Sequence, residues 1–423
     1  MTRIQQRLDV AARWALVGVF LSFPVAMGLA NTLSAVVLLC WLGAGQFRQR
    51  WQTLRHNPVT LPALLLYGLV LIGALYSSGD ASHILLHVGK YIKLLLALVF
   101  LSLLDEPRWR RRSLIAFIAG MLFILASVYA SIWFRLPWVS ARANPAQALG
   151  WGVDHTVVGD YITQNVMMSF FAVLCLVQRD VAARSVWKWT WPVLALLAVL
   201  SVTDLSLGRT GYFVLGACLL TYVLTAFPGR VRYALLLLLV VAMAASLLGS
   251  KTMRQRYEQA WTEAKNHNTD ITSSIGHRLY NYKIVLTLIR ERPLQGWGTG
   301  SYDRESCRVI VDKAQCALFG WHPHDQYLFF WVENGLPGLL AYLWLIVAII
   351  RVGRSRDGPE RCLVYALACA LIADSLFNSP LFSSRENHFF MFMMALLAAG
   401  PVLAADLRDR HGNRVLPGHA PSL

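Results

Sequence analysis

Charge is what this sequence has little of. Only 15% of its 423 residues are Asp, Glu, Lys or Arg, against 56% hydrophobic, and the mean hydropathy is +0.48. A soluble globular domain carries about 25% charged residues, so composition excludes that class and points to a polytopic membrane protein. Several chemistry-bearing patterns are missing too. There is no H-E-x-x-H, no cysteine pair at zinc spacing and no D-x-D in the polar part of the chain, which leaves no metal centre to be read. His322, His324 and Asp325 could in principle hold a cation, but Pro323 constrains their geometry. The Gly-rich PLQGWGTGSY of residues 293–302 follows no strand and sits in no βαβ unit, so it is not a dinucleotide fingerprint. Repeats, heptads and low-complexity segments are lacking as well.

What is present is hydrophobic length. About twelve apolar windows of roughly 17–25 residues, each able to cross about 30 Å of hydrocarbon, recur along the chain. They lie near 11–29, 31–46, 59–77, 84–104, 113–134, 157–178, 190–207, 211–227, 231–249, 326–350, 361–377 and 387–405. The first is too long for a signal-peptide core and reads as a retained helix. The fold class is all-α and polytopic, a single integral membrane domain over 1–423.

Basic residues outnumber acidic ones, 39 against 23, for a formal net charge of +16. They cluster in every second loop: Arg48, Arg50 and Arg55; Arg108 and Arg110 to Arg112; Arg179, Arg184 and Lys188; Arg230 and Arg232; Arg351, Arg354, Arg356 and Arg361. Arg3, Arg7 and Arg13 share that side with Arg408, Arg410 and Arg414. The loops of the other side hold few cations, among them Arg142 and Arg209. This positive-inside asymmetry places both termini in the cytoplasm, with residues 406–423 as a short tail, and makes the charge a matter of topology rather than a nucleic-acid footprint.

One sizeable polar region remains, the loop of residues 250–325 on the non-cytoplasmic side. Within it, residues 275–292 read as a helix, with Leu279, Tyr282, Ile284 and Leu288 at helical spacing, Ser274 as cap and Pro293 as stop. Such a helix lies on the membrane surface or packs over the bundle. Five of the seven cysteines sit in apolar spans as small hydrophobes. Cys307 and Cys316 share the long loop, where a periplasmic setting would permit a local disulfide.

The segment HPHDQYLFFWVENGLPG, residues 322–338, places titratable groups at the mouth of a membrane helix. Pro323 suits a first helical turn, with His322 at or near the cap and His324 and Asp325 in that turn. The positive end of the helix disfavours imidazolium, and a neutral imidazole is what a general base requires. Asp325 pulls the other way, or orients the ring. The alternative is a pair of interfacial histidines at a helix cap. The GLPG of residues 335–338 lies inside the span and needs partners for its freed backbone groups.

Arg209 and Arg278 fall on the same side. A guanidinium at the lipid–water boundary presents a planar fork that matches phosphate oxygens, although snorkelling or a carboxylate partner such as Asp204 would explain each alone. Inside the spans, His83, His87 and Lys90 share one helical stripe, Lys93 lies on another face, Asp160 and Gln164 stand a turn apart, and Asp374 lies in the eleventh window. Such groups line a proton path, pair across the bundle, or face a cavity for charged headgroups.

At these residues the chain resembles a known family. GHRLYNYKIVLTLIRERPLQGWGTGSY followed by HPHDQYLFFWVENGLPGLLAYL is similar to the signature region of bacterial O-antigen ligases and their relatives, the O-antigen polymerases and protein O-oligosaccharyltransferases. The likeness covers roughly residues 270–345. It implies a polytopic, GT-C-like glycosyltransferase of the bacterial inner membrane with its site facing the periplasm. Carried over by position, His324 would be the base and Arg209 and Arg278 the diphosphate ligands, with Asp325, His322, Tyr282 and Lys90 in support. Asp325 stands where the family commonly has Asn, Ser or Gln. Tyr280 and Tyr282 are the candidates for an aromatic that is commonly Trp.

The expectation is thus an inverting ligase that moves O-antigen from undecaprenyl diphosphate to a sugar hydroxyl of lipid A–core. It would use no cofactor, metal or nucleotide and would bind no nucleic acid. A polymerase or protein O-oligosaccharyltransferase using the same donor is the nearest alternative, and the short tail argues mildly for the ligase. A proton-coupled transporter using Lys90, Lys93, Asp160 and Asp374 is the alternative from another class, and the absence of an inverted repeat speaks against it.

Overall fold

The computed structural model describes residues 2–139, 146–182, 185–249, 251–266 and 270–403. Arg142, Arg184 and the tail 406–423, with Arg408, Arg410 and Arg414, lie outside the described residues. Every element among the described residues is helical.

The first nine apolar windows fall on α1 (Arg3–Ser22), α2 (Met27–Ala44), α4 (Thr60–Leu75), the pair α5 (Ala81–Tyr91) and α6 (Lys93–Leu103), α7 (Pro107–Ala130), α8 (Tyr161–Val181), α9 (Ser185–Thr203), α10 (Arg209–Ala226) and α11 (Gly229–Gly249). A short α3 (Phe47–Arg55) precedes α4, and the pair is bent by 103°. The polar loop carries α12 (Lys251–Lys265), α13 (Ser274–Glu291), α14 (Tyr302–Val309) and α15 (Cys316–Phe319). The last three windows fall on α16 (Gln326–Arg354), α17 (Gly358–Ser375) and α18 (Ser384–Ala399). Six of these helical stretches are each long and apolar enough to cross a membrane, or seven if the bent pair counts as one, which makes this a polytopic membrane protein.

Boundaries moved where hydropathy is blind to backbone chemistry. The window at 11–29 straddles the α1–α2 turn, because Pro24 carries no N–H and its ring clashes with a continuing helix, while its neighbours stay apolar. In α18 every residue from Glu386 to Ala398 is buried, as expected of a helix surrounded on all sides.

The basic clusters meet at one end of the bundle. Arg13 pairs with Asp9 at 2.7 Å and Asp105 at 2.5 Å, and Arg50 reaches the same Asp9 at 2.8 Å. Arg110 donates to the carbonyls of Leu104 and Pro401, both at 2.9 Å, and Arg356 to that of Ala398 at 3.3 Å. The loop helices gather at the other end.

α13 matches its expected span, but its cap is Ser273, whose hydroxyl accepts from the Gly276 amide at 3.2 Å, not Ser274. The start of α16 also differs from expectation. Asp325 is the cap, its carboxylate accepting from the Leu328 amide at 2.8 Å, so His322, Pro323 and His324 precede the helix instead of occupying its first turn. A short carboxylate is among the preferred N-cap side chains and outcompetes the Pro323 signal. His324 has a left-handed backbone, φ 56°. The positive end of the helix is therefore not what keeps its ring neutral, and Asp325 is committed to the backbone rather than to orienting the imidazole.

Candidate active site

The site rests on a break in α16. Gly335 is left-handed, φ 66°, and Pro337 lacks the N–H that would have bonded the Glu333 carbonyl. The 293–302 turn supplies the missing partners. The Gly298 amide donates to the Glu333 carbonyl at 2.8 Å and the Trp297 amide to that of Val332 at 2.9 Å, while the Leu336 amide donates back to Pro293 at 3.1 Å. Backbone lies directly on backbone here. A Cβ at Gly335 would sit 2.1 Å from the Leu294 carbonyl oxygen, and one at Gly296, φ 72°, would sit 2.6 Å from that of Glu333. The two Gly-rich motifs are thus one interlocked unit. Buried Glu333 closes it, accepting from the Gly300 amide at 3.0 Å while meeting His87 Nδ1 at 3.0 Å.

Three histidines stand over this unit. His324 lies with its ring 4.2 Å from that of His322 and 5.0 Å from that of His277. Phe319, fully buried, stacks on His277 at 4.7 Å and meets Tyr280 at 4.7 Å. His277 is fully engaged: Nε2 donates to the Leu318 carbonyl at 3.2 Å and Nδ1 accepts from the Asn281 amide at 3.2 Å. His322 Nδ1 accepts from the His324 amide at 3.2 Å, which leaves its proton on Nε2. His324 Nδ1 is buried and has no hydrogen-bond partner among the described residues.

Burial, then the crowding of the His322 and His277 rings and the Arg278 guanidinium, pushes the His324 imidazole far below its ordinary value. Burial, then Lys90, His277 and Arg278, lowers His322 to about 3. Burial raises Asp325 to about 6, opposed by the Leu328 and Tyr327 amides. The histidines are neutral because they are buried among cations.

Arg278 follows His277 on α13 and donates to the Thr210 hydroxyl at 3.2 Å, beside Arg209 at the start of α10. Burial lowers the Arg278 pKa, with Tyr282, Tyr161 and Asp374 opposing and Arg209 adding to the effect. Both arginines and the histidines therefore gather at one end of the bundle. Arg209 does have a carboxylate partner, but it is Glu263 of α12, held through two bonds of 3.0 and 2.8 Å. Asp204 instead accepts from the Thr203 hydroxyl at 2.6 Å. Alongside lies an open cleft of about 560 Å³ lined by Arg209, Gln259, Thr262, Glu263, Asn266, Asp270 and residues 272–274.

The remaining candidates take fixed places. Tyr282 donates to the Leu376 carbonyl at 2.8 Å. Lys90 lies 3.7 Å over the Phe382 ring and 4.5 Å over that of Trp321, next to His322. Its stripe-mates meet separate partners, His83 facing Asp303 at 3.6 Å and His87 facing Glu333. Asp160 caps α8 through the Thr163 amide at 2.8 Å, and Gln164 accepts from the Val157 amide at 2.8 Å. Asp374 is fully buried with neither oxygen hydrogen-bonded among the described residues. Among those residues no ion pair joins Lys90 or Lys93 to Asp160 or Asp374. Cys307 and Cys316 form a disulfide, and the other five cysteines are free. No group of three His, Cys, Asp or Glu among the described residues is arranged to hold a metal.

Sequence reasoning missed His277, Glu263 and Glu333. His277 was legible as the residue preceding Arg278 in the quoted motif. Glu333 was legible as a carboxylate stranded in an apolar run. Glu263 carried no local signal.

Residues 193–343 match the family model described as O-antigen ligase, so the resemblance read from the sequence holds over that stretch. An uncharacterized protein of Haemophilus influenzae is 29% identical over 125 residues, which cover 27% of this chain and 30% of that protein. The alignment thus spans under a third of the relative's length.

Proposed function

We propose that this chain is an O-antigen ligase. It takes O-antigen from undecaprenyl diphosphate and joins it to a sugar hydroxyl of lipid A–core. The observation that carries this is the gathering of an unpartnered neutral imidazole, His324, with two arginines at the loop end of the bundle, inside the stretch that matches the family model. On this reading the apolar windows are twelve spans, residues 250–325 face the periplasm, and both termini lie in the cytoplasm of a bacterial inner membrane.

His324 Nδ1 takes the proton of the acceptor hydroxyl as that oxygen attacks the anomeric carbon, opposite the departing diphosphate, and the configuration inverts. Arg278 and Arg209 stabilise the charge growing on the leaving group, which a buried site makes effective. Burial and the Arg278 guanidinium keep His324 a weak base until the donor arrives. Negative phosphate beside Arg278 offsets its field and raises the basicity of His324 where it is needed. Tyr282 and Lys90 act at a distance, one fixing α13 against the end of α17, the other placing the loop that carries His322.

The carrier-linked sugar is already activated, so no nucleotide or metal is required. Purified protein given lipid-linked O-antigen and lipid A–core should form lipopolysaccharide at an unchanged rate in excess EDTA. A product made only when repeat units replace core lipid would make the chain a polymerase. Failure in EDTA would overturn the metal-free mechanism.

A further inference from the structure

Glu263 is a buried acid with no part in the chemistry above. Its carboxylate accepts two bonds from Arg209 and a third from the Ile275 amide, 3.2 Å away in the first turn of α13. A guanidinium N–H together with an amide at a helix N-terminus is the kind of donor set proteins use to hold phosphate. Here a carboxylate of the chain itself fills it; both arginine bonds come from Arg209 Nη2, and Nη1 has no partner among the described residues.

Among its described side chains, the helix that brings the carboxylate buries little else. Among the α12 side chains that the structure describes, Glu263 is the one that is buried. Tyr257 and Trp261 remain 61% and 57% exposed, so the aromatic residues do not anchor it. α12 packs on its chain neighbours α11 and α13. An element with few buried apolar contacts lies at the low-stability end of a structure, where small changes in one interaction move it. Its anchor is an anion, and an anion is what a competing ligand would bring.

We propose that Glu263 is a resident anion holding the place of a lipid-borne diphosphate at Arg209, and that α12 is a lid released when that diphosphate displaces it. The proposal rests on the ligase reading for the identity of the ligand. The closed form lowers the apparent affinity for donor by the fraction of molecules in which Arg209 is free. Arg278, which among the described residues donates to the neutral Thr210 hydroxyl and to no carboxylate, is available throughout and gives the diphosphate its first hold.

The test uses the full chain in nanodiscs, with undecaprenyl diphosphate carrying no glycan as the probe. Amide exchange across residues 251–265 should speed up by about fivefold or more when the probe is added. Glu263→Gln, equal in shape but uncharged, should bind the probe about five- to tenfold more tightly than the parent. Weaker binding by Glu263→Gln overturns the proposal and assigns Glu263 to holding Arg209 in position. Exchange that is unchanged or slower on adding the probe also overturns it, and this reading on the parent chain decides the matter even if the variant does not fold. Neither readout needs glycan transfer. A failed transfer assay therefore sinks the ligase reading alone, and static exchange beside active transfer sinks the lid alone.

Discussion

Two walls of the same site are held by different forces. On one side the 293–302 turn locks into the broken α16 through backbone hydrogen bonds, with glycines where any side chain would collide. On the other, α12 leans on Arg209 through one carboxylate. No ligand can compete for a backbone ladder sealed inside the protein, whereas any phosphate can compete for a guanidinium. On the proposed reading the first wall keeps the base in register, and the second is the one a substrate would move. A site that has to be precise for the proposed chemistry and open for the proposed lipid-linked donor would need both kinds.

The largest expected effect comes from breaking the first wall. Gly335→Ala drives a methyl into the Leu294 carbonyl and forces φ 66° on a residue that avoids it, for a loss of more than about 3 kcal/mol. Yield and thermal unfolding in detergent should show little folded protein. A normal melting curve would mean that the two motifs are not interlocked. Next comes the group the walls enclose. His324→Ala should lower glycan transfer by about 10²–10⁴-fold while melting stays near that of the parent. Transfer near the parental rate would remove the base assignment and leave both walls intact. The smallest effect should separate the walls directly. In 1 M salt, screening weakens the partly exposed Arg209–Glu263 pair, so amide exchange of residues 251–265 should rise by about two- to threefold while residues 296–300 stay protected. Equal responses in the two segments would erase the distinction.

Much of the site was legible beforehand, because motifs keep chemistry close in sequence. His324, Arg278 and the GLPG of residues 335–338 stood out in the chain. The helical reading of residues 275–292 was right to within one residue at each end, since amphipathic spacing and a following proline are local signals. The start of α16 was misread because two caps competed, Pro323 with His322 against Asp325; the carboxylate is the better cap, and His322 packs on Phe382 ahead of the helix. The partner of Arg209 was misassigned for a simpler reason: Asp204 is five residues away and Glu263 is 54, and proximity in sequence is a poor guide to an ion pair.

By itself the sequence determined the solvent this chain folds in, the apolar helices that meet it and the residue types brought to one face, because hydropathy and motif spacing are properties of short segments. Tertiary structure alone decided that a glycine turn repairs a broken helix distant in sequence, that burial rather than a helix end keeps His324 neutral, and that Arg209 is already holding an acid. Each of these depends on which distant groups exclude water from one another, and that is settled only when the helices pack.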